Sequence, residues 1–100
     1  MNNFSLYLTD LARDDIFLSQ KFYENQSPNL GNYFYDSIIA DLDALEFYGG
    51  IHQKHFGFYR MLTKRFPFAI YYELDGEVVI VHAVLHTRKD ILSILDRIDR

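Results

Sequence analysis

The sequence predicts an α+β sandwich, two consecutive helices laid on one face of a mostly antiparallel sheet. The first half carries apolar residues at spacings of three and four, which one face of a helix needs. The second half carries two long runs rich in β-branched and aromatic residues, and these flank Asp75-Gly76. That pair suits the positive φ angles of a tight type I′ turn, so the runs read as a β-hairpin. Helices grouped together and strands grouped together place the chain in the α+β class.

Each element has its own local warrant. Phe4 to Leu8 sets Phe4, Leu6 and Leu8 against Ser5 and Tyr7, the period-2 pattern of a half-buried strand. Thr9 or Asp10 then offers an N-cap, with Asp14 and Asp15 in the early turns. Leu11, Ala12, Ile16, Phe17 or Leu18, Phe22 and Tyr23 mark one face of a helix running to about Asn25. Ser27 offers a fresh cap and Pro28 a first helical position. The second helix follows on Leu30, Phe34, Ile38, Asp41 or Leu42, and Leu45, and Gly49-Gly50 ends it. A loop through His55 leads to strands over Phe56–Phe66, Phe68–Leu74 and Val78–Leu85, a three-stranded antiparallel meander. Pro67 sits between the first two, where it sharpens a turn without breaking a ladder. Ile91, Leu92, Ile94, Leu95 and Ile98 predict a short amphipathic helix over Asp90–Arg100.

Residues 1–100 form one domain, near the commonest domain size. Nearly half are hydrophobic, with nine Phe and eight Tyr, which is ample for a core. With no cysteine, neither a disulfide framework nor a thiolate metal site is possible. The N-terminus lacks the pattern of a secretory signal, and no apolar run approaches the ~20 residues a membrane span needs. A soluble, cytoplasmic protein is expected. The formal net charge of −4 argues against a wholly basic nucleic-acid-binding surface, while leaving room for a local basic patch.

Several constellations invite a chemical reading and do not sustain it. His52-Gln53-Lys54-His55 pairs two imidazoles, but without Cys or nearby carboxylates the ligand set is incomplete, and no metal is expected. His82 and His86 lie four residues apart on one strand, ~13 Å at ~3.3 Å per residue, so they cannot share an ion. His82 reads as a hydrogen-bonded sheet residue. Phe56, Phe58, Tyr59, Phe66, Phe68, Tyr71 and Tyr72 suggest a base-stacking platform, yet on a sheet they serve first as core. Asp41, Asp43 and Glu46 read as the solvated face of a helix. There is no Gly-rich phosphate loop and no recognisable catalytic triad. The chain has no self-standing enzyme signature and implies no cofactor.

A pattern over nearly the whole chain resembles a known family. Leu11-Ala12-Arg13-Asp14-Asp15 with Phe22-Tyr23, then Leu30-Gly31-Asn32-Tyr33-Phe34, open the likeness. Tyr59-Arg60-Met61-Leu62 runs into Arg65-Phe66-Pro67-Phe68-Ala69-Ile70-Tyr71-Tyr72, and Ala83-Val84-Leu85-His86-Thr87-Arg88-Lys89-Asp90 closes it. Together these resemble the RelE/ParE superfamily of toxins from type II toxin–antitoxin systems, on the ParE-like (plasmid stabilisation protein) branch. The resemblance implies a RelE/ParE-like two-layer sandwich, a cognate antitoxin as partner, and a homodimer or a hetero-oligomer with that antitoxin. RelE-type members cut messenger RNA on the ribosome, using Lys and Arg for phosphate charge and a C-terminal Tyr or His for proton transfer. ParE-type members poison DNA gyrase and do no chemistry of their own.

Arg65 and Arg88 match basic functional positions of the superfamily, with Arg60, Lys64 and Lys89 nearby; together with His86 they form the candidate target-binding set. Past Asp90 the chain has neither Tyr nor His, so the C-terminal acid of the RNA-cutting members is missing. His86 would have to replace it, alongside Arg65 and Arg88. The resemblance therefore implies a gyrase-directed toxin, with a ribosome-dependent mRNA endonuclease or a non-toxic co-regulator as alternatives. Ile91 stands where ParE-like members often have Pro, and Lys89 where they have a second Arg.

Overall fold

A computed structural model describes residues 3–98, the side chains of residues 90, 91 and 98 excepted. The elements are β1 (Ser5–Leu8), α1 (Asp10–Gln26), α2 (Leu30–Tyr48), β2 (Lys54–His55), β3 (Phe58–Leu62), β4 (Phe68–Asp75), β5 (Val78–His86) and α3 (Asp90–Ile98). Asp99 and Arg100, the end of the expected last helix, lie outside the described residues. The sheet order is β1-β5-β4-β3-β2; β1 pairs parallel to β5 and every other neighbour is antiparallel.

Thr9 caps α1, its hydroxyl accepting the Ala12 N–H at 3.2 Å. The second cap differs from expectation. Neither Ser27 nor Pro28 begins α2; the helix starts at Leu30 behind Asn29, which is left-handed at φ 70° and makes no side-chain cap bond. Glu24, near the end of α1, supplies the cap instead. Its carboxylate accepts the Asn29 N–H at 3.0 Å and the Gly31 N–H at 2.9 Å. An asparagine tolerates this left-handed conformation, which lets the chain turn into α2 two residues later than the Ser27–Pro28 signal predicts.

The hairpin turn also shifts. Asp75 pairs with Val78, leaving Gly76-Glu77 as the two-residue loop, and of these Gly76 alone has positive φ. That is the pattern of a type II′ turn, with glycine at the first central position. The expected strand Phe56–Phe66 is shorter, and it begins one hairpin later. Phe56 and Gly57 both take positive φ and connect β2 to β3. The strand stops at Leu62, where Thr63 turns the chain back by donating its N–H to the Phe68 carbonyl.

The core sits between the helix pair and the sheet. Ala12 and Ile16 of α1 and Phe34, Ile38, Leu42 and Leu45 of α2 pack on Met61, Phe68, Ile70, Tyr72, Val79, Val81 and Val84. Phe34 is its aromatic hub, stacked on Tyr23 at 5.0 Å and meeting Phe68 at 4.9 Å. The expected α1 stripe is narrower than its sequence suggests: Leu11, Phe17, Leu18 and Phe22 are all exposed. The other face of the sheet has its own smaller core, in which Ile94 of α3 seats on Ala69, Tyr71 and Ala83. A partial third layer therefore joins the two expected, and β4 is buried on both faces from Phe68 to Tyr72.

Candidate functional site

The basic residues gather because β4 begins where β5 ends. Phe68 pairs with His86, and the Thr87 N–H donates to the Pro67 carbonyl at 2.8 Å. The loop 63–67 and the turn 87–89 are thereby held side by side. Lys64, Arg65, Arg88 and Lys89 present exposed side chains there, with His86 half-buried between them and the sheet. At the opposite end, the β4–β5 turn carries Asp75 and Glu77.

The basic loop is held from beneath by Asp41 of α2. This carboxylate is 2 % exposed and accepts the Lys64 N–H at 3.2 Å. The expectation of a solvated Asp41 is corrected: it lies on the buried stripe with Ile38, Leu42 and Leu45, where its polar atoms need a partner. Thr63 adds a second tie, its hydroxyl donating to the Phe66 carbonyl. Arg65 borders a shallow hollow with Tyr33, Asp36 and Ser37.

His86 is oriented rather than loose. Its Nδ1 accepts the Arg88 N–H at 3.1 Å, and its ring meets Phe68 edge-on at 5.4 Å. With Nδ1 accepting, the proton of the neutral ring belongs on Nε2. The Lys89 N–H closes the turn on the His86 carbonyl at 2.9 Å.

Beside this end runs a groove of about 510 Å³. Leu18 and Phe22 of α1 form one wall and Arg88, Lys89 and Ser93 the other, over Val84, Leu85 and His86. Two of the exposed α1 residues expected in the core, Leu18 and Phe22, are therefore the apolar side of a basic-rimmed groove. Tyr23 also lines it, and burial raises its hydroxyl pKa.

Arg60 stands apart from the other candidates. It lies within β3 opposite Tyr71, and its Nε donates to the Tyr71 hydroxyl at 3.0 Å. The histidines outside the site take different places. His52 Nδ1 meets the Tyr72 hydroxyl at 2.5 Å, and burial lowers its pKa. His55 sits exposed on β2. His82 Nε2 is 2.6 Å from Glu73 Oε1, an ion-pair distance without the alignment of a hydrogen bond. Among the described residues no group of three or more His, Asp or Glu is placed to hold a metal ion. No described helix is long and apolar enough to cross a membrane.

No family model matches the sequence, and no curated protein does. The solved structures give a likeness where the sequences do not. A chain of the chromosomal ParDE TA (toxin–antitoxin) system from P. aeruginosa superposes with a TM-score of 0.74, covering 83 % of this chain and 95 % of that one. The chain has the ParDE component's fold. At 17 % identity the likeness is one of fold, and it agrees with the architecture implied by the RelE/ParE resemblance.

Sequence reasoning put Asp41 on the α2 stripe and also on its solvated face, and it missed the groove walls and the partnership of His52 with Tyr72. For Asp41 the signal is spacing: it falls three residues after Ile38 and four before Leu45, on a stripe otherwise apolar. The groove left none, because Leu18 and Phe22 look like core until the sheet's width is known.

Proposed function

We propose that this chain is a ParE-like toxin component of a type II toxin–antitoxin pair, acting by binding DNA gyrase and held inactive by a cognate antitoxin. The observation that carries the reading is the fold shared with a ParDE component, with five candidate basic residues gathered at one end of its sheet. A binding role needs no general acid or base, and this end offers exposed charge beside an apolar groove, the materials of a protein interface. The test is an SOS reporter in bacteria expressing the chain under tight induction without antitoxin. A strong reporter rise with filamentous cells is expected, because a trapped gyrase leaves broken DNA. A flat reporter overturns the gyrase target.

One observation favours a second reading. His86, with its proton assigned to Nε2, stands next to Arg88, and its pairing with Phe68 brings the loop carrying Arg65 to the same end of the sheet, the pieces an mRNA endonuclease would use. Growth arrest with a flat reporter, and RNA cut on translating ribosomes, would select it. Normal growth would select a non-toxic co-regulator.

A further inference from the structure

Among its described side chains, the last helix docks through the buried Ile94 and through an ion pair made by Arg97. Among the described side chains of α3, Ile94 alone is buried, while Leu92 and Leu95 stay exposed. Three residues later Arg97 reaches α1. Its Nη2 donates to Asp15 Oδ1 at 2.6 Å and its Nη1 to Asp15 Oδ2 at 2.8 Å. Nη1 also donates to the His82 carbonyl at 2.8 Å, and Asp15 Oδ2 accepts the Val84 N–H at 2.9 Å. Both charged side chains are largely shielded, at 17 % and 11 % exposure.

These bonds fall at a particular place in the sheet. β1 ends at Leu8, opposite Val81, so beyond that point β5 has no strand on this side. The His82 carbonyl and Val84 N–H would be the next groups of an open edge, and Asp15 with Arg97 terminates it. Asp15 is also a groove residue, and the chain leading into α3 supplies the groove's other wall through Arg88, Lys89 and Ser93. One carboxylate thus joins three things: the β5 edge, the docking of α3 and the shape of the groove.

We propose that α3 is a strap, latched by the Asp15–Arg97 pair, that opens locally without unfolding the domain. Opening uncovers the β5 edge at His82 and Val84 and withdraws Ser93, the α3 residue that lines the groove. A helix of nine residues is marginal by itself in water, so α3 stays folded by docking. β4, packed on both faces, belongs to the most stable part of the structure, which separates the cost of opening the strap from that of global unfolding. Losing either partner of the latch strands the other charge in a shielded place, which makes the closed state sensitive to a single residue. The strap bears on the proposed function only through the groove beside Arg88 and Lys89, which Ser93 of α3 also lines.

Backbone hydrogen exchange on the full chain tests it, comparing wild type with Arg97→Ala and Ile94→Ser. In wild type, the amides of residues 94–97 should exchange faster than those of Ile70 and Tyr72. Arg97→Ala should speed the α3 amides by about ten- to a hundredfold and leave Ile70 and Tyr72 within about threefold. Ile94→Ser should give the same pattern with both latch residues present, so a defect peculiar to one variant is recognised. Wild-type α3 amides as slow as those of β4, equal acceleration of both sets, or no change in Arg97→Ala would each overturn the proposal. A silent SOS reporter would sink the gyrase reading and leave the exchange result standing.

Discussion

The Tyr72 hydroxyl lies 2.5 Å from His52 Nδ1 and accepts the Gly50 N–H at 2.9 Å. Tyr72 is fully buried in the core, and burial raises its pKa, so its proton stays on oxygen. The bond fastens the 49–53 loop, which follows α2, onto the centre of the sheet. Tyr59, stacked on Tyr72 at 5.1 Å, closes the same corner.

A pH dependence follows from that bond. Burial lowers the pKa of His52 below its ordinary 6.5, so the folded state resists protonation. As pH falls below 6.5 the unfolded chain takes up the proton first, and the protein loses stability until the folded pKa is passed. Urea midpoints between pH 7.5 and 5.5 should fall in wild type and fall less in His52→Gln. Parallel curves would remove His52 from the account.

Tyr72→Phe keeps the ring and deletes the hydroxyl, leaving the Gly50 N–H and His52 Nδ1 unpaired. The expected cost is about 1–3 kcal/mol in denaturant unfolding, the range for stranding buried polar groups. A loss below about 0.5 kcal/mol would mean that water replaces the hydroxyl at little cost.

Asp41 should behave as a support for the basic loop. Asp41→Ala leaves the Lys64 N–H without its acceptor and opens a gap beneath the loop, for a cost of about 1–3 kcal/mol. Asp41→Asn retains an oxygen in the same place and should cost less. If the two variants are equally destabilised, the carboxylate's charge matters and the hydrogen bond does not.

How much of this was legible beforehand depends on the range of the forces involved. The strand and helix order rests on periodicity and turn chemistry, which are local, and Thr9 and Gly49-Gly50 mark boundaries through their own backbone preferences. The α2 cap was not legible, because Glu24 supplies it across the helix turn while Ser27 and Pro28 offered the more familiar signal. The II′ turn at Gly76-Glu77 was one residue from the expected place, since register is set by which side chains β4 and β5 bury. At the site, clustering of Arg65 with Arg88 depends on the pairing of Phe68 with His86, a contact between residues far apart in sequence. Leu18 and Phe22 are the clearest case. Their apolar character was visible, but that they line a groove depends on how far α1 overhangs β5.

Gly31 marks the close approach of the two helices. A Cβ there would stand 2.7 Å from the Gln20 carbonyl oxygen and 2.9 Å from Glu24 Cβ, both nearer than real contacts allow. Gly31→Ala should therefore destabilise the domain by about 1–3 kcal/mol, although alanine is otherwise the better helix former. It should also disturb the Glu24 cap, which receives the Gly31 N–H. A neutral or stabilising Gly31→Ala would show that the hairpin spreads freely.

Charge at the basic end gives the sharpest separation between binding and chemistry. Arg88 and Lys89 are exposed, their side chains carry little of the core, and Arg88→Glu/Lys89→Glu should leave the thermal midpoint within a few degrees of wild type. If the chain works by binding, reversing two charges places like charges against an acidic partner surface, and SOS induction should drop by about tenfold or more. His86→Gln should then have little effect, because binding does not require a proton to move. An endonuclease reverses the ranking: His86→Gln would abolish cleavage, while the double reversal would weaken it through phosphate contact. Comparing the two variants at equal expression therefore identifies the mode of action before any target has been purified.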